Sequence, residues 1–161
     1  RQLQTHPTNS EPRFLREVTR PRLEEGSQAE GRDVRIELTA GPMIATGATP
    51  ADVEAETQAA RESLVFTLST PAYWPTLEYH GYREVGEKLR DYTREGRWAE
   101  MNDLVTDDLL KIFVPAGTYD EIADILLEQY DDVAERILFP VPQDPRHDAT
   151  VRRVIEKLQG G

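Results

Sequence analysis

Seven residues, Val34-Arg35-Ile36-Glu37-Leu38-Thr39-Ala40, alternate between apolar and polar side chains until the final alanine. A period of two marks a strand with unlike faces, because successive side chains leave a strand on opposite sides. Val34, Ile36 and Leu38 are expected to meet helices, with Arg35, Glu37 and Thr39 turned the other way. Gly41-Pro42 permits a bulge and Met43-Ile44-Ala45 can carry the strand on, so the expected element covers 34–45. A second strand, over 136–140, is read from Ile137-Leu138-Phe139, a short apolar run ended by Pro140-Val141-Pro142. A strand buried on both faces reads this way. The chain between the two is helical and too long for a hairpin, so they are expected to lie adjacent and parallel. Two parallel strands and a fragment cannot close a barrel. They leave edges with unpaired backbone groups, so the pattern asks for more sheet than the chain supplies.

The helices are legible from their punctuation. Residues 1–10, RQLQTHPTNS, read as the tail of a strand running into a loop. The first helix is expected to start near Pro12, with Phe14, Leu15, Val18 and Leu23 on one side. Pro21 should kink it, and Gly26 or Gly31 should end it. Thr49-Pro50 supplies a cap and a first-turn proline for a second helix, which Ser69-Thr70-Pro71 stops. Residues 72–113 are expected to form a mostly helical insertion before the last strand, with breaks at Gly81 and Gly96. Thr118-Tyr119-Asp120-Glu121 reads as a capping box opening the next helix, and a final helix follows Asp148. The 161 residues read as a single segment.

The formal charge of −11 argues against nucleic acid and anionic membrane surfaces as partners. No cysteine is present, so disulfides and thiol chemistry are excluded, as fits a cytoplasmic protein. No metal-ligand spacing occurs among His6, His80 and His147, and no P-loop, GxGxxG, HExxH or GxSxG motif is found. Asp107-Asp108 and Asp131-Asp132 read as solvated faces. Thr5-His6-Pro7-Thr8-Asn9-Ser10 lies between a strand end and a helix start. Its hydroxyls, its amide and the helix N-terminus could together hold phosphate. His80 sits among Tyr73, Trp74, Tyr79 and Tyr82, which can stack on a planar ring or simply pack. If strand 34–45 runs toward a catalytic face, the helix after it runs back, which puts Ser69–Tyr73 at the opposite end. His147 follows the last strand and is expected near the catalytic face.

Three segments, Ser69-Thr70-Pro71-Ala72-Tyr73, Leu77-Glu78-Tyr79-His80-Gly81 and Gly96-Arg97-Trp98-Ala99-Glu100-Met101, resemble the C-terminal part of luciferase-like monooxygenases. The subgroup that uses coenzyme F-420 is the most similar. The resemblance implies an α/β fold, the C-terminal half of a TIM-type (β/α)8 barrel. It also implies an oxidoreductase that moves a hydride with a flavin or deazaflavin, coenzyme F-420 or alternatively FMN, and a small organic substrate. By resemblance Thr5 touches the cofactor phosphate, with His6 beside it. The catalytic residues of such barrels belong to the absent N-terminal half, so the isolated segment is expected to be inactive. Its expected partner is that half or another copy of itself. A non-catalytic half-barrel that self-associates or pairs with another chain is the alternative.

Overall fold

The computed structural model describes residues 1–29, 31 and 35–160. In chain order the elements are β1 (Gln2–Gln4), α1 (Pro12–Phe14), α2 (Arg20–Ala29), β2 (Glu37–Ala40), β3 (Ala45–Gly47), α3 (Pro50–Leu68) and α4 (Pro75–Tyr79). They continue with α5 (Arg83–Glu95), α6 (Asp107–Phe113), β4 (Ala116–Thr118), α7 (Ile122–Tyr130), β5 (Arg136–Ile137) and α8 (Asp148–Gly160). Among the described residues the strands form two parallel ladders, β1-β2-β5 and β3-β4. Parallel pairing of β2 with β5 agrees with the reading from hydropathy.

The expected strand 34–45 is not one strand. Val34 lies outside the described residues, and 41–44 carry no strand pairing. The bulge-permitting Gly41-Pro42 ends β2, because proline has no N–H to give a ladder. The chain then resumes as β3 against β4, with Ala45, Thr46 and Gly47 in register with Ala116, Gly117 and Thr118. β4 carries no legible strand pattern: it is three residues long with a central glycine. That glycine packs closely: a Cβ on Gly117 would lie 2.8 Å from Ile125 Cδ1 and 3.3 Å from Glu121 Cβ, so the Ile125 side chain would have to shift to admit one.

The β1-β2-β5 sheet has the two unlike faces that the alternation demands. Leu38 and Ala40 join Leu15, Ile122, Ala123, Leu126, Tyr130, Val133 and Val154 in one buried cluster, with Leu3 and Ile137 packed against it. On the other face Gln2 and Gln4 stand in register with Glu37 and Thr39. Gln2 Nε2 donates to Thr39 Oγ1 at 2.9 Å, and Arg136 pairs with Glu37 at 3.2 Å. β5 is not buried on both faces as its apolar run implied. Ile137 and Phe139 pack on the helix side, while Leu138 is 46% exposed. A second cluster, centred on Leu64, Leu68, Leu77, Leu89, Leu109 and Phe113, holds α3 to the helices of 75–113.

Pro21 is accommodated by a π turn rather than a sharp kink. Leu15–Thr19 separates α1 from α2, and the Arg20 N–H reaches back to Leu15 O. The extra residue opens the ladder one position before a proline that cannot donate and whose ring crowds the preceding turn. The turn also brings Arg20 to the base of the sheet. Its guanidinium donates to Val133 O at 2.8 Å, Ile36 O at 2.9 Å and Glu135 Oε2 at 2.6 Å. α2 ends at Ala29, and Gly31 takes the left-handed φ of 65° in the turn that follows. α3 opens with the expected Thr49 cap. Asp52 N donates to Thr49 Oγ1, and Thr49 N donates to Asp52 Oδ2. At α7 only half of the expected box forms: Thr118 N and Oγ1 donate to Glu121 Oε2, and the helix starts one residue later.

Glu135 accepts from Leu38 N, Arg20 and Arg35. Burial pushes its carboxyl up, but these donors outweigh burial and hold it at about 2, against an ordinary 4.5. A depressed carboxylate stabilises the fold above its unfolded value, and that stability is lost as pH falls through the folded value. Denaturant unfolding should therefore weaken from about pH 4.5 downward toward pH 2. Glu135→Gln should remove about 1–3 kcal/mol at neutral pH and flatten the acid limb over that window.

Candidate functional site at the strand ends

The C-terminal ends of β1, β2 and β5 meet at one place. Thr5 N donates to Thr39 O at 3.0 Å, and Leu138 N to Ala40 O at 2.8 Å. A Cβ on Gly41 would sit 3.1 Å from Thr5 O and 3.2 Å from Leu138 Cδ1, so the three strand ends approach closely and a side chain there would make its neighbours shift.

Ser10 ties this junction. It is fully buried, and its Oγ donates to His6 O at 3.0 Å while accepting from Gly41 N at 3.0 Å. The Thr5 hydroxyl lies 2.7 Å from it. With the Ser10 proton on His6 O, the Thr5 proton points to Ser10. The Ser10 carbonyl accepts from the Tyr130 hydroxyl at 2.9 Å. Burial, with a smaller contribution from the Glu11 charge, pushes the Tyr130 phenol up, which keeps it a donor. Thr5 itself is 8% exposed, whereas His6 is exposed. His6 Nδ1 caps the short turn Pro7–Asn9, accepting from Thr8 N at 3.3 Å, with Thr8 Oγ1 at 2.9 Å. That assigns the ring proton to Nε2, leaving an N–H donor directed away from the turn.

The aromatic residues do not form one cluster. Tyr73 stacks on His6, with ring centroids 4.5 Å apart and planes inclined by 26°. Trp74 turns inward: it is buried, its N–H donates to Leu68 O at 2.7 Å, and it lies between Arg83 and Arg90 against Gly86. Tyr79 meets Phe14 edge-on and donates to Glu17, which lowers that carboxyl. His80 Nε2 lies 3.0 Å from Glu11 Oε2, off the line of a good hydrogen bond. Glu11 is meanwhile the N-cap of α1, accepting from Arg13 N and Phe14 N.

This arrangement overturns one expectation. Ser69–Tyr73 does not sit at the far end of the fold: Tyr73 covers His6, and Thr76 Oγ1 reaches Asn9 Oδ1 at 3.3 Å. The opposite end would follow only if α3 ran back along one straight strand. The break at 41–44 separates β3 from the β2 ladder, so the direction of α3 is not set by β2. Its 19 residues span about 28 Å and deliver 69–80 onto the loop after β1. The adjacent aspartates lie on exposed faces, as the sequence implied. Asp107 pairs with Arg61 and Asp132 with Arg16. His147 lies near the ends of β3 and β4, its ring 5.6 Å from that of Tyr119. From the sequence Ser10 counts only as one of the hydroxyls of the 5–10 loop, and its locking role at the junction is not legible there. Its role depends on Gly41 and Tyr130, both remote in the chain.

Residues 4–136 match the family model of luciferase-like monooxygenases, and the chain belongs to that family. Uncharacterised proteins of Mycobacterium tuberculosis and Mycobacterium bovis are each 37% identical to it over 134 residues, which is 83% of this chain and 39% of theirs. The chain thus spans well under half the length of these curated relatives. Among solved structures it is similar to a coenzyme F-420-dependent tetrahydromethanopterin reductase from Methanopyrus kandleri. That match has a TM-score of 0.66 at 20% identity and covers 99% of this chain and 50% of the other. It shows a shared fold.

Ser10→Ala would leave the buried Gly41 N–H without its acceptor and free the Thr5 hydroxyl. It should lower unfolding free energy by about 1–3 kcal/mol, measured by denaturant titration. Tyr130→Phe, which removes one donor only, should cost about 1 kcal/mol.

Proposed function

We propose that this chain is the C-terminal part of a (β/α)8-barrel oxidoreductase that transfers a hydride between coenzyme F-420 and a small organic substrate. The observation that carries the reading is the junction of parallel strand ends at Thr5-His6, within a chain of the luciferase-like family. In such barrels the C-terminal strand ends form the active face. The polar face of β1-β2-β5, on which Gln2, Gln4 and Glu37 are exposed, is what a barrel lumen requires. The free edges of β1 and β5 are where further strands would add.

The residues present fit the phosphate end of such a cofactor. His6 offers an Nε2–H donor at the exposed rim, held in place by Thr8 below and Tyr73 above. Thr5 supplies a second donor by turning its hydroxyl proton from Ser10 toward the phosphate. Ser10 keeps the loop backbone in position while that proton moves, through its bonds to His6 O and Gly41 N. When bound, the deazaflavin ring carries the hydride chemistry. FMN, which also carries a phosphate on the chain attached to its ring, is the alternative cofactor for the same donors.

In the full-length protein, Thr5→Ala and His6→Ala should each weaken F-420 binding by about 1 kcal/mol, read by fluorescence titration. Unchanged affinity in both variants removes Thr5 and His6 from the site, and tighter binding of FMN than of F-420 reverses the cofactor assignment. The 161 residues alone should self-associate in sedimentation and bind neither cofactor. A compact monomer that binds either one at micromolar affinity would contradict the half-barrel reading.

A further inference from the structure

Segment 73–80 meets the loop after β1 along one edge. Tyr73 stacks on His6 at 4.5 Å, Thr76 Oγ1 lies 3.3 Å from Asn9 Oδ1, and His80 Nε2 lies 3.0 Å from Glu11 Oε2. Positions 73, 76 and 80 have the i, i+3, i+7 spacing of one helix face, so a single face of the segment supplies all three contacts. Gly81, at a left-handed φ of 79°, ends the helical course directly after the third. Trp74 ties the start of α4 to the end of α3 through Leu68 O. The far end of α4, at His80, therefore needs an anchor of its own.

The contact of His80 with Glu11 is the member of this row that involves a carboxylate, and the two side chains are only 14% and 8% exposed. A buried carboxylate is costly unless donors surround it. Glu11 already accepts from Arg13 N at 3.1 Å and from Phe14 N at 2.7 Å, which leaves His80 as the third donor and off the best line. His80 Nε2 is closed to solvent, so water does not stand in for either partner there. A lone pair on Nε2 would face those of the carboxylate at 3.0 Å and be repelled, so the proton sits on Nε2. The neighbouring charges are otherwise engaged: Glu17 accepts from Tyr79, and Arg16 holds Asp132.

We propose that Glu11 and His80 are positioning residues for the rim of the site. Their contact holds α4 against the loop, and α4 in turn holds Tyr73 over His6. Ser10 fixes the loop backbone and Thr8 one edge of the His6 ring. The stacked Tyr73 removes the freedom that remains, so the Nε2–H of His6 keeps one direction, toward the cofactor phosphate. Neither Glu11 nor His80 touches the cofactor in this arrangement. The inference rests on the redox reading for what His6 binds, but not for the coupling of His80 to His6.

The test uses the full-length protein and reads the His6 ring by NMR, beside a fluorescence titration with F-420. Stacking on Tyr73 shifts the carbon-bound ring protons of His6 upfield. His80→Leu should remove that shift and weaken F-420 binding about fivefold, as for one net hydrogen bond. His80→Gln, whose amide nitrogen reaches the place of Nε2, should restore both. In a His6→Ala background, His80→Leu should cause no further loss of affinity, because the pair acts through the His6 ring. A further loss of about fivefold there would mean a general effect on the fold and would overturn the proposal. A retained ring shift with parental affinity in His80→Leu overturns it as well. If His6→Ala alone leaves F-420 affinity unchanged, the redox reading falls, while a lost ring shift in His80→Leu still upholds the coupling. If His80→Leu does not fold, His80→Asn, polar but too short to reach Glu11, takes its place with the same two expectations.

Discussion

The hydroxyl of Ser10 is the point on which both the sheet and the site depend. Three strands end together only if the loop after β1 lies flat against Gly41, and that close approach strands a backbone N–H in the interior. A buried donor without a partner is costly enough to open such a junction. Ser10 removes the cost by accepting from Gly41 N while donating to His6 O in its own loop. Its carbonyl is held from behind by Tyr130, which belongs to α7. One residue thus couples the first loop, the end of β2 and a helix more than a hundred positions away. The orientation of His6 follows from that coupling, since the loop carrying it has little freedom left.

The opposite end of the sheet is organised by charge. Arg20 and Glu135 tie α2, the entry to β2 and the entry to β5, using backbone carbonyls and one backbone N–H as well as each other. Parallel strands are remote in the chain, so their register cannot be fixed by a turn. Here it is fixed by side chains at both ends of the ladder. The π turn before Pro21 is part of the same device, because it rotates Arg20 onto the base of the sheet. The polar face between these two anchors is the feature on which the proposed half-barrel reading rests, because a self-sufficient layered domain would cover its sheet on that side.

Much of the fold was written locally. The alternation at 35–40, the cap at Thr49, the start of the last helix at Asp148, the stop at Ser69-Thr70-Pro71 and the parallel order of β2 and β5 follow from period, proline placement and connection length. These are properties of neighbouring residues, and neighbouring residues determine them. β4 was not legible, because three residues around a glycine hold no periodicity. The inward turn of Trp74 was not legible either. Its partners, Gly86 and the Leu68 carbonyl, look ordinary until they are packed around it.

For the site the division is similar. The sequence by itself marked Thr5 and His6 as residues of a strand-end loop, since hydroxyls, histidine and proline between a strand and a helix have few other readings. It also excluded thiol chemistry and any recognisable nucleotide loop. Only the tertiary structure decided that Tyr73 covers His6, that Ser10 locks the junction and that His80 meets Glu11. The physical reason is the same in each case. The contacts involved join groups from segments remote in the chain, with no relation in sequence. Hydrogen-bond satisfaction is a property of the whole packed chain, so no local pattern announces where it succeeds or fails.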